Sequence, residues 1–358
     1  MAYEENAQDR LVRERQQNAG YRGNNHLTPT YRLTVEGRNI TPAIDARLVS
    51  LTLTEGRANQ ADQLDIVLSD HDGQLAIPRK EAEISLELGW EGAQLIDKGT
   101  FVVDESEHSG APDIITIRAR AADLGGEIRK RTEKSWHNTS LGAILAELAK
   151  RNKLTHKVDA KLGATQIQHI DQTNESDMHF ITRLARKNDA VATVKKKHLL
   201  FMPINGTKTS KGKSLPTIEI TRIDGDQHRW ASSTRDAYDG VKALWNDRKF
   251  GKRKEVIAGK KDGNLKTMKE TFGSEADALA AAKSELQRIN RGMATFDLNL
   301  AIGVPELMPQ TPVRVTGFKP EIDGQGWLVK EVTHTLGDGG LTSKVQMERA
   351  GSEEEKAE

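Results

Sequence analysis

The chain has 358 residues, 36% of them hydrophobic, enough for two or three domains with packed cores and too apolar for wholesale disorder. Lys and Arg total 53 against 52 Asp and Glu, a formal charge of +1, so no global field directs the chain to nucleic acid or to an acidic membrane. There is no cysteine, which excludes disulfides, thiolate metal sites and cysteine nucleophiles. Residues 1–27 lack hydrophobic periodicity and are expected to form a flexible arm. Met1 to Asn25 contains no apolar stretch of the kind a secretory signal needs. No apolar run anywhere is long enough to cross a bilayer, so no membrane insertion is expected.

From 28 to 130 the pattern is β. Leu64, Ile66 and Leu68 alternate with polar neighbours, as do Ile84, Leu86, Leu88 and Trp90, then Ile115 and Ile117. Such a period of two describes a sheet with one packed face and one wet face. Turn chemistry falls between these runs, at Asp72-Gly73, Ser109-Gly110 and Gly125-Gly126.

The period changes over 131–206. Leu141, Ile144, Leu145 and Leu148 stand at helical spacing behind Ser140, a good N-cap. A second helix is expected over Glu175 to Lys187, burying Phe180, Ile181 and Leu184. Its acidic first turn and basic last turn suit the helix dipole. A hairpin follows, with Val191 and Val194 facing Leu199 and Phe201 across a Lys195-Lys196-Lys197 turn. This is a small α+β module set between two β regions.

A second β region spans 207–350. It opens with Ile218 and Ile220, then Val241, Ala243 and Trp245. A helix over 274–290, capped by Ser274, precedes the alternating run Phe296, Leu298, Leu300, Ile302. Val313 with Val315, Trp327 with Val329, and Val345 with Met347 complete it. Residues 351–358 are acidic and nearly free of apolar side chains, and are expected to be a disordered tail.

The two β regions echo one another. Gly99 to His108 can be laid on Gly326 to His334 from the aromatic onward, with seven positions from Phe101 to His108 and seven from Trp327 to His334. Each stretch follows a strand ending in Gly plus an aromatic, Gly89-Trp90 and Gly317-Phe318. The predicted fold is therefore α+β and mainly β, with two related antiparallel β-barrels in tandem, an inserted α+β module, and one long helix in the second half. Barrels remove exposed edges, and duplicated ones suit ring building.

Candidate chemistry is thin. Of the ten histidines none stands at a recognisable ligand spacing. His169, His179 and His198 fall in different elements, and His108 and His334 occupy equivalent points of the two repeats, which favours a structural role at a strand end. The loop Ser69-Asp70-His71-Asp72-Gly73 has two carboxylates but lacks the downstream Glu of a calcium loop. Asp104 and Glu105 are adjacent on a strand and are expected on opposite faces, which is incompatible with a glycosidase pair. Glu105 and Glu107 share a face, as a solvated strand edge also would. No nucleophile elbow, Walker loop or Rossmann fingerprint is present. Two basic stretches remain as phosphate-binding candidates: Lys208, Lys211 and Lys213; and Arg248, Lys249, Lys252, Arg253, Lys254, Lys260 and Lys261, with Phe250 among them. No catalytic, cofactor-binding or metal-ligating residue is assigned.

One run is long and specific. Asp171-Gln172-Thr173-Asn174-Glu175-Ser176-Asp177-Met178-His179-Phe180-Ile181-Thr182-Arg183-Leu184-Ala185-Arg186 resembles the phage late control protein D family. Arg291-Gly292, Gly303-Val304-Pro305, Gly317-Phe318-Lys319-Pro320, Gly326-Trp327 and His334 do too, as do Ser69-Asp70, Gly73, Pro78 and Leu88-Gly89-Trp90. The resemblance extends from Thr28 to Ala350. It implies a baseplate hub of a contractile phage tail or tailocin, similar to the amino-terminal part of VgrG spikes. It further implies a homotrimeric ring of tandem tube-like barrels, six around the axis, joining a sixfold tail tube to a threefold spike. Expected partners are tube, spike, wedge and tape measure proteins, with DNA only passing through the lumen. The expected location is the virion, after assembly in the host cytoplasm, and the resemblance supplies no catalytic residues. Two other readings are a nucleic-acid-binding late-gene regulator acting through 248–261, against which the absence of a helix-turn-helix with a basic face counts, and a wall-degrading tail enzyme using Glu105 or Glu107. The helix flank Lys283, Glu285, Gln287 and Arg288 is a candidate for facing a neighbour.

Overall fold

The computed structural model describes residues 27–57, 61–122, 126–195, 197–204, 216–233, 238–247 and 250–351. The first β region comprises β1 (Pro29–Val35), β2 (Arg38–Asn39), a short helix α1 (Thr41–Ile44), β3 (Leu48–Gly56), β4 (Gln63–Ser69), β5 (Glu83–Trp90), β6 (Ile96–Ser109) and β7 (Ile114–Ala121). The alternation read from sequence is the burial pattern observed. Leu64, Ile66 and Leu68 point inward with Ile84, Leu86, Leu88, Ile115 and Ile117, and Phe101 fills the centre of the same core. Because one core touches all of these strands, the sheet must curl around it. The Asp72-Gly73 turn is present. Gly73 sits at φ +64°, in the left-handed region that glycine tolerates best, and its N–H donates to the Asp70 carbonyl at 2.8 Å.

The middle module has β8 (Arg131–Ser140), α2 (Leu141–Arg151), β9 (Thr155–Val158), α3 (Ala160–Gly163), β10 (Gln166–Ser176), α4 (Asp177–Lys187), β11 (Ala190–Lys195) and β12 (His198–Pro203). Both predicted helices form, and the Ser140 and Ser176 hydroxyls cap them by accepting from the N–H groups of Ala143 and His179. Glu175 and Ser176 belong to β10 rather than to the helix, because the cap residue must leave helical geometry. Val191 and Val194 lie on β11 and Leu199 and Phe201 on β12, in antiparallel register.

The second region contains β13 (Ile218–Thr221), β14 (Gly225–Ser232), β15 (Gly240–Asp247), β16 (Lys252–Gly259), β17 (Leu265–Phe272), α5 (Glu275–Gly292), β18 (Ala294–Leu300), β19 (Pro312–Thr316), a short α6 (Pro320–Asp323), β20 (Gly326–Gly337) and β21 (Gly340–Arg349). Two expectations are corrected here. Val241 and Ala243 do not join the second barrel. With Trp245 they lie on β15, the centre of a separate three-stranded sheet whose core is closed by Ala278, Ala281 and Ala282 of α5. Ile302 lies beyond the end of β18 and is exposed, because the run breaks before Gly303.

Strand order makes the duplication visible. The first region runs β3-β4-β7-β6-β5-β1, and the second runs β14-β18-β21-β20-β19-β13. Taken in chain order, the two sets of six strands occupy the same places. The bulge repeats as well: register slips between Val103 and Glu105 on β6, and between Val329 and Glu331 on β20, at the same offset from Phe101 and Trp327. One difference remains, since β1 pairs β5 antiparallel while β13 pairs β19 in parallel.

The two curled halves are not separate sheets. Glu331 to Gly337 of β20 pair antiparallel with Gly56 to Ser50 of β3, which fuses both into one thirteen-stranded sheet. The edge of β3 is thus covered by the other half rather than by closure of its own barrel.

Candidate functional site

The residues that sequence reading weighed for chemistry are dispersed and already engaged. Asp104 pairs with Arg120 at 2.8 Å, Glu105 with Arg118 at 2.9 Å, and Glu107 with Arg118 at 3.3 Å. Asp104 and Glu105 were expected on opposite faces. The bulge at Asp104 interrupts the alternation and leaves both carboxylates exposed, facing arginines two positions apart on β7. Three carboxylates neutralised on an open strand offer no cleft for a sugar.

The Asp70–Gly73 loop is a turn held by its own acids. Asp70 is buried and accepts from the Leu75 N–H at 3.0 Å, and Asp72 takes both guanidinium nitrogens of Arg47 at 2.7 and 2.6 Å. That fork holds the Asp72 carboxyl far below the usual carboxylate range. Among the basic residues, Lys254 pairs with Asp247 at 2.7 Å and lies over the Trp245 and Phe250 rings, while Lys252, Arg253, Lys260 and Lys261 are exposed. Lys208, Lys211, Lys213, Arg248 and Lys249 lie outside the described residues, as do residues 1–26, Gly125, Lys196 and the tail from Ser352. On α5, Glu285 turns toward its own subdomain and binds Lys266 of β17 at 2.8 Å together with Arg288, leaving Lys283 exposed.

The long motif of the middle module builds that module. Asp177 is buried and accepts from Arg151 at 2.9 Å, Asn152 at 2.7 Å, Gln172 at 2.9 Å and Thr132 at 3.2 Å. It therefore ties β8, α2, β10 and α4 at one point. Phe180 stacks on Trp136 with centroids 4.9 Å apart, and the Arg183 guanidinium lies over the Phe180 ring, 4.9 Å from its centroid, while also binding Glu175. Glu175 additionally meets His179 at 2.7 Å. His169 stacks on His137 with ring centroids 4.6 Å apart and meets Asp171 at 3.0 Å. Among the described residues no group of three or more His, Cys, Asp or Glu is arranged to hold a metal.

What sequence reading missed is a pair of buried ionic clusters where the three parts meet. In the first, Lys98 of β6 binds Glu55 of β3 at 2.5 Å, with both side chains almost wholly buried, and donates to the Leu307 carbonyl at 3.2 Å. Lys195 of β11 reaches Glu55 and Asp62 at 3.3 Å each, and so brings the module to the same point. Burial opposes ionisation of Glu55, but Lys98 and Lys195 outweigh it and hold the carboxyl below its usual range. Two acids and two lysines balance, as an interior site requires.

His334 completes this cluster, in the structural role expected of it but with a burial its counterpart lacks. It occupies the register position of His108, yet it is fully buried, whereas His108 is exposed beside Asp70 at 3.4 Å. The His334 Nε2–H donates to the Leu307 carbonyl at 3.2 Å, and Nδ1 accepts from the Ser343 hydroxyl at 2.8 Å. Ser343 in turn accepts from the Val304 N–H at 3.0 Å. Burial, reinforced by the nearby Lys98 charge, pushes the imidazole down to about 3, so it stays neutral. In the second cluster, buried Arg291 of α5 binds Asp189 after α4 through both terminal nitrogens, and its Nε lies 3.1 Å from Glu348 of β21. Arg57, just past β3, binds the same Glu348 carboxylate oxygen.

One signal for these clusters was present in the sequence. Leu51, Leu53 and Glu55 share the inward phase of β3, and Val332, His334 and Leu336 share that of β20. A polar residue on the apolar phase of a strand needs a partner when buried, and the partner here is far away in the chain.

The buried clusters tie the three parts together, and a cleft beside the long motif is lined by Arg131, Asp171, Glu175, His179 and Arg183, of which Asp171, Glu175, His179 and Arg183 already bind one another or a neighbour. The family model described as phage tail baseplate hub matches residues 59–340. Probable baseplate hub proteins of Escherichia phages 186 and P2 are 41% and 40% identical, each over 90% of this chain and 93% of the relative. A 43 kDa tail protein of prophage MuSo2 from Shewanella oneidensis shares the fold with a TM-score of 0.66 at 14% identity, covering 89% of this chain and 98% of that one. A type VI secretion component of Escherichia coli does so at 0.58 and 13% identity, over 90% and 77% of the two chains. This chain belongs to the phage tail baseplate hub family, the late control protein D family.

Proposed function

We propose that three copies form a closed ring that joins a sixfold tail tube to a threefold spike, acting through geometry and without catalysis. The observation that carries this reading is the repeated six-strand order within one chain. Two like units per chain present six like units in a trimer, so a single ring can offer sixfold symmetry to one neighbour and threefold symmetry to the other. The buried ionic clusters fit this role, because the units must keep a fixed mutual angle for the ring to close. Tube, spike, wedge and tape measure proteins are its partners in this reading, the virion baseplate is its place, and DNA meets it only in the lumen.

The test is the absolute mass of the purified chain by light scattering, alone and with the adjoining spike protein. A trimer in either condition is expected. A chain that stays monomeric in both refutes the ring.

A further inference from the structure

The join between the two halves is a strand pairing, and the duplication states where the same pairing is left open. Mapping one half on the other places β14 where β3 stands and β6 where β20 stands, with Trp230 at the position of Leu53 and His108 at that of His334. The outer edge of β3 is filled by β20, but among the described residues β14 pairs only with β18. The part of β20 that fills the edge is Glu331 to Gly337. Its counterpart on β6 begins at Glu105, and among the described residues Glu105 to Ser109 have strand pairing only with β7, since the pairing with β5 ends at Val102. The loop before β5 touches this stretch through the side chains of Ser106 and His108.

Exposure follows the same division. Leu51 and Leu53 are wholly buried under the internal join, while their counterparts His228 and Trp230 are exposed. Like the outer strands of the small sheet β16-β15-β17, β14 is an open edge, but it also leaves Trp230, a large aromatic, exposed beside its row of backbone groups, a template for another strand. Charge is compatible across such a pairing, because Arg229 on β14, 3.8 Å from Asp297, would lie diagonally across from Glu107, itself 3.3 Å from Arg118.

We infer that β14 pairs antiparallel with Glu105 to Ser109 of β6 in a second copy of this chain, with Trp230 opposite His108 and Ala231 opposite Glu107. The contact between copies repeats the contact within the chain, so each half meets its neighbour in one way all around the ring. It is a head-to-tail contact, which makes closed rings when the rotation allows and needs two different surfaces per copy. This inference rests on the ring proposed above and adds which strands make its interface and in what register.

The chain has no cysteine, so engineered pairs report without background. Within the chain, the positions equivalent to Ala231 and Glu107 are Thr54 and Thr333, whose hydroxyls lie 3.3 Å apart. The variant Glu107→Cys/Ala231→Cys is oxidised and run on a non-reducing gel, beside each single variant and a shifted pair, Glu107→Cys/Arg229→Cys. Covalent dimers and trimers are expected from the first pair, at least about tenfold above the shifted pair and the single variants, since disulfide geometry tolerates little displacement. Light scattering on the same samples separates the two ideas. Trimers without preferential linking of the first pair overturn the register and leave the ring standing. A monomer that does not link overturns both.

Discussion

Replacing Lys98 with Met tests whether the buried junction holds the parts together. Lys98 and Glu55 are both almost wholly buried, at 1% and 3% side-chain exposure. Removing the lysine strands a carboxylate in the interior with only the more exposed Lys195 beside it. Breaking a buried pair in this way costs about 3–5 kcal/mol, because the remaining charge is left uncompensated. Taking away both charges should cost much less, since an apolar pair of similar volume is often neutral or better. The double variant Lys98→Met/Glu55→Met is therefore expected to regain most of the loss. Lys195 keeps Asp62 in that variant, and the Leu307 carbonyl keeps His334. The assay is guanidinium unfolding by circular dichroism, comparing midpoints at pH 7. In the wild type the Glu55 carboxyl is held below its ordinary 4.5, so its contribution is present above that value and is lost as pH falls through the lower folded value. A single variant within about 1 kcal/mol of wild type, or a double variant no better than the single, would refute the reasoning.

Other outcomes follow from the same geometry. His334 titrates near 3 when folded and 6.5 when unfolded, so its contribution is complete above 6.5 and falls away as pH drops toward 3. Between pH 7 and 5 this removes about 2 kcal/mol, and the His334→Asn variant should show a correspondingly shallower loss in unfolding midpoints over that range. Phe180→Ala should cost about 3–5 kcal/mol through loss of a buried ring stacked on Trp136, read by thermal unfolding. Ser176→Ala, which removes the cap of α4, should cost about 1 kcal/mol by the same measure. Glu105→Gln and Glu107→Gln should leave the melting temperature of the monomeric chain unchanged, because both carboxylates are exposed on an open strand until a second copy covers it.

The sequence by itself determined the local elements and the family. Alternation over Leu64 to Leu68 and the helical spacing behind Ser140 are local constraints, and each is met within a few residues of where it is read. The echo between Phe101–His108 and Trp327–His334 was also legible, since duplicated strands keep their aromatic anchors, and the structure adds the repeated bulge. Tertiary structure alone decided three matters. Val241 and Ala243 show ordinary strand alternation, and nothing in that pattern says which sheet they join; the core formed with α5 assigns them elsewhere. Asp104 and Glu105 obey strict alternation on paper, but an inserted residue changes the phase, and a bulge has no fixed residue signature. Finally, Glu55, Lys98, Lys195 and His334 meet only because β3 pairs with β20, a contact between segments at opposite ends of the chain. A charge in a strand is read as solvent-facing until its neighbour is known, and that neighbour is set by pairing over long separations rather than by any local pattern.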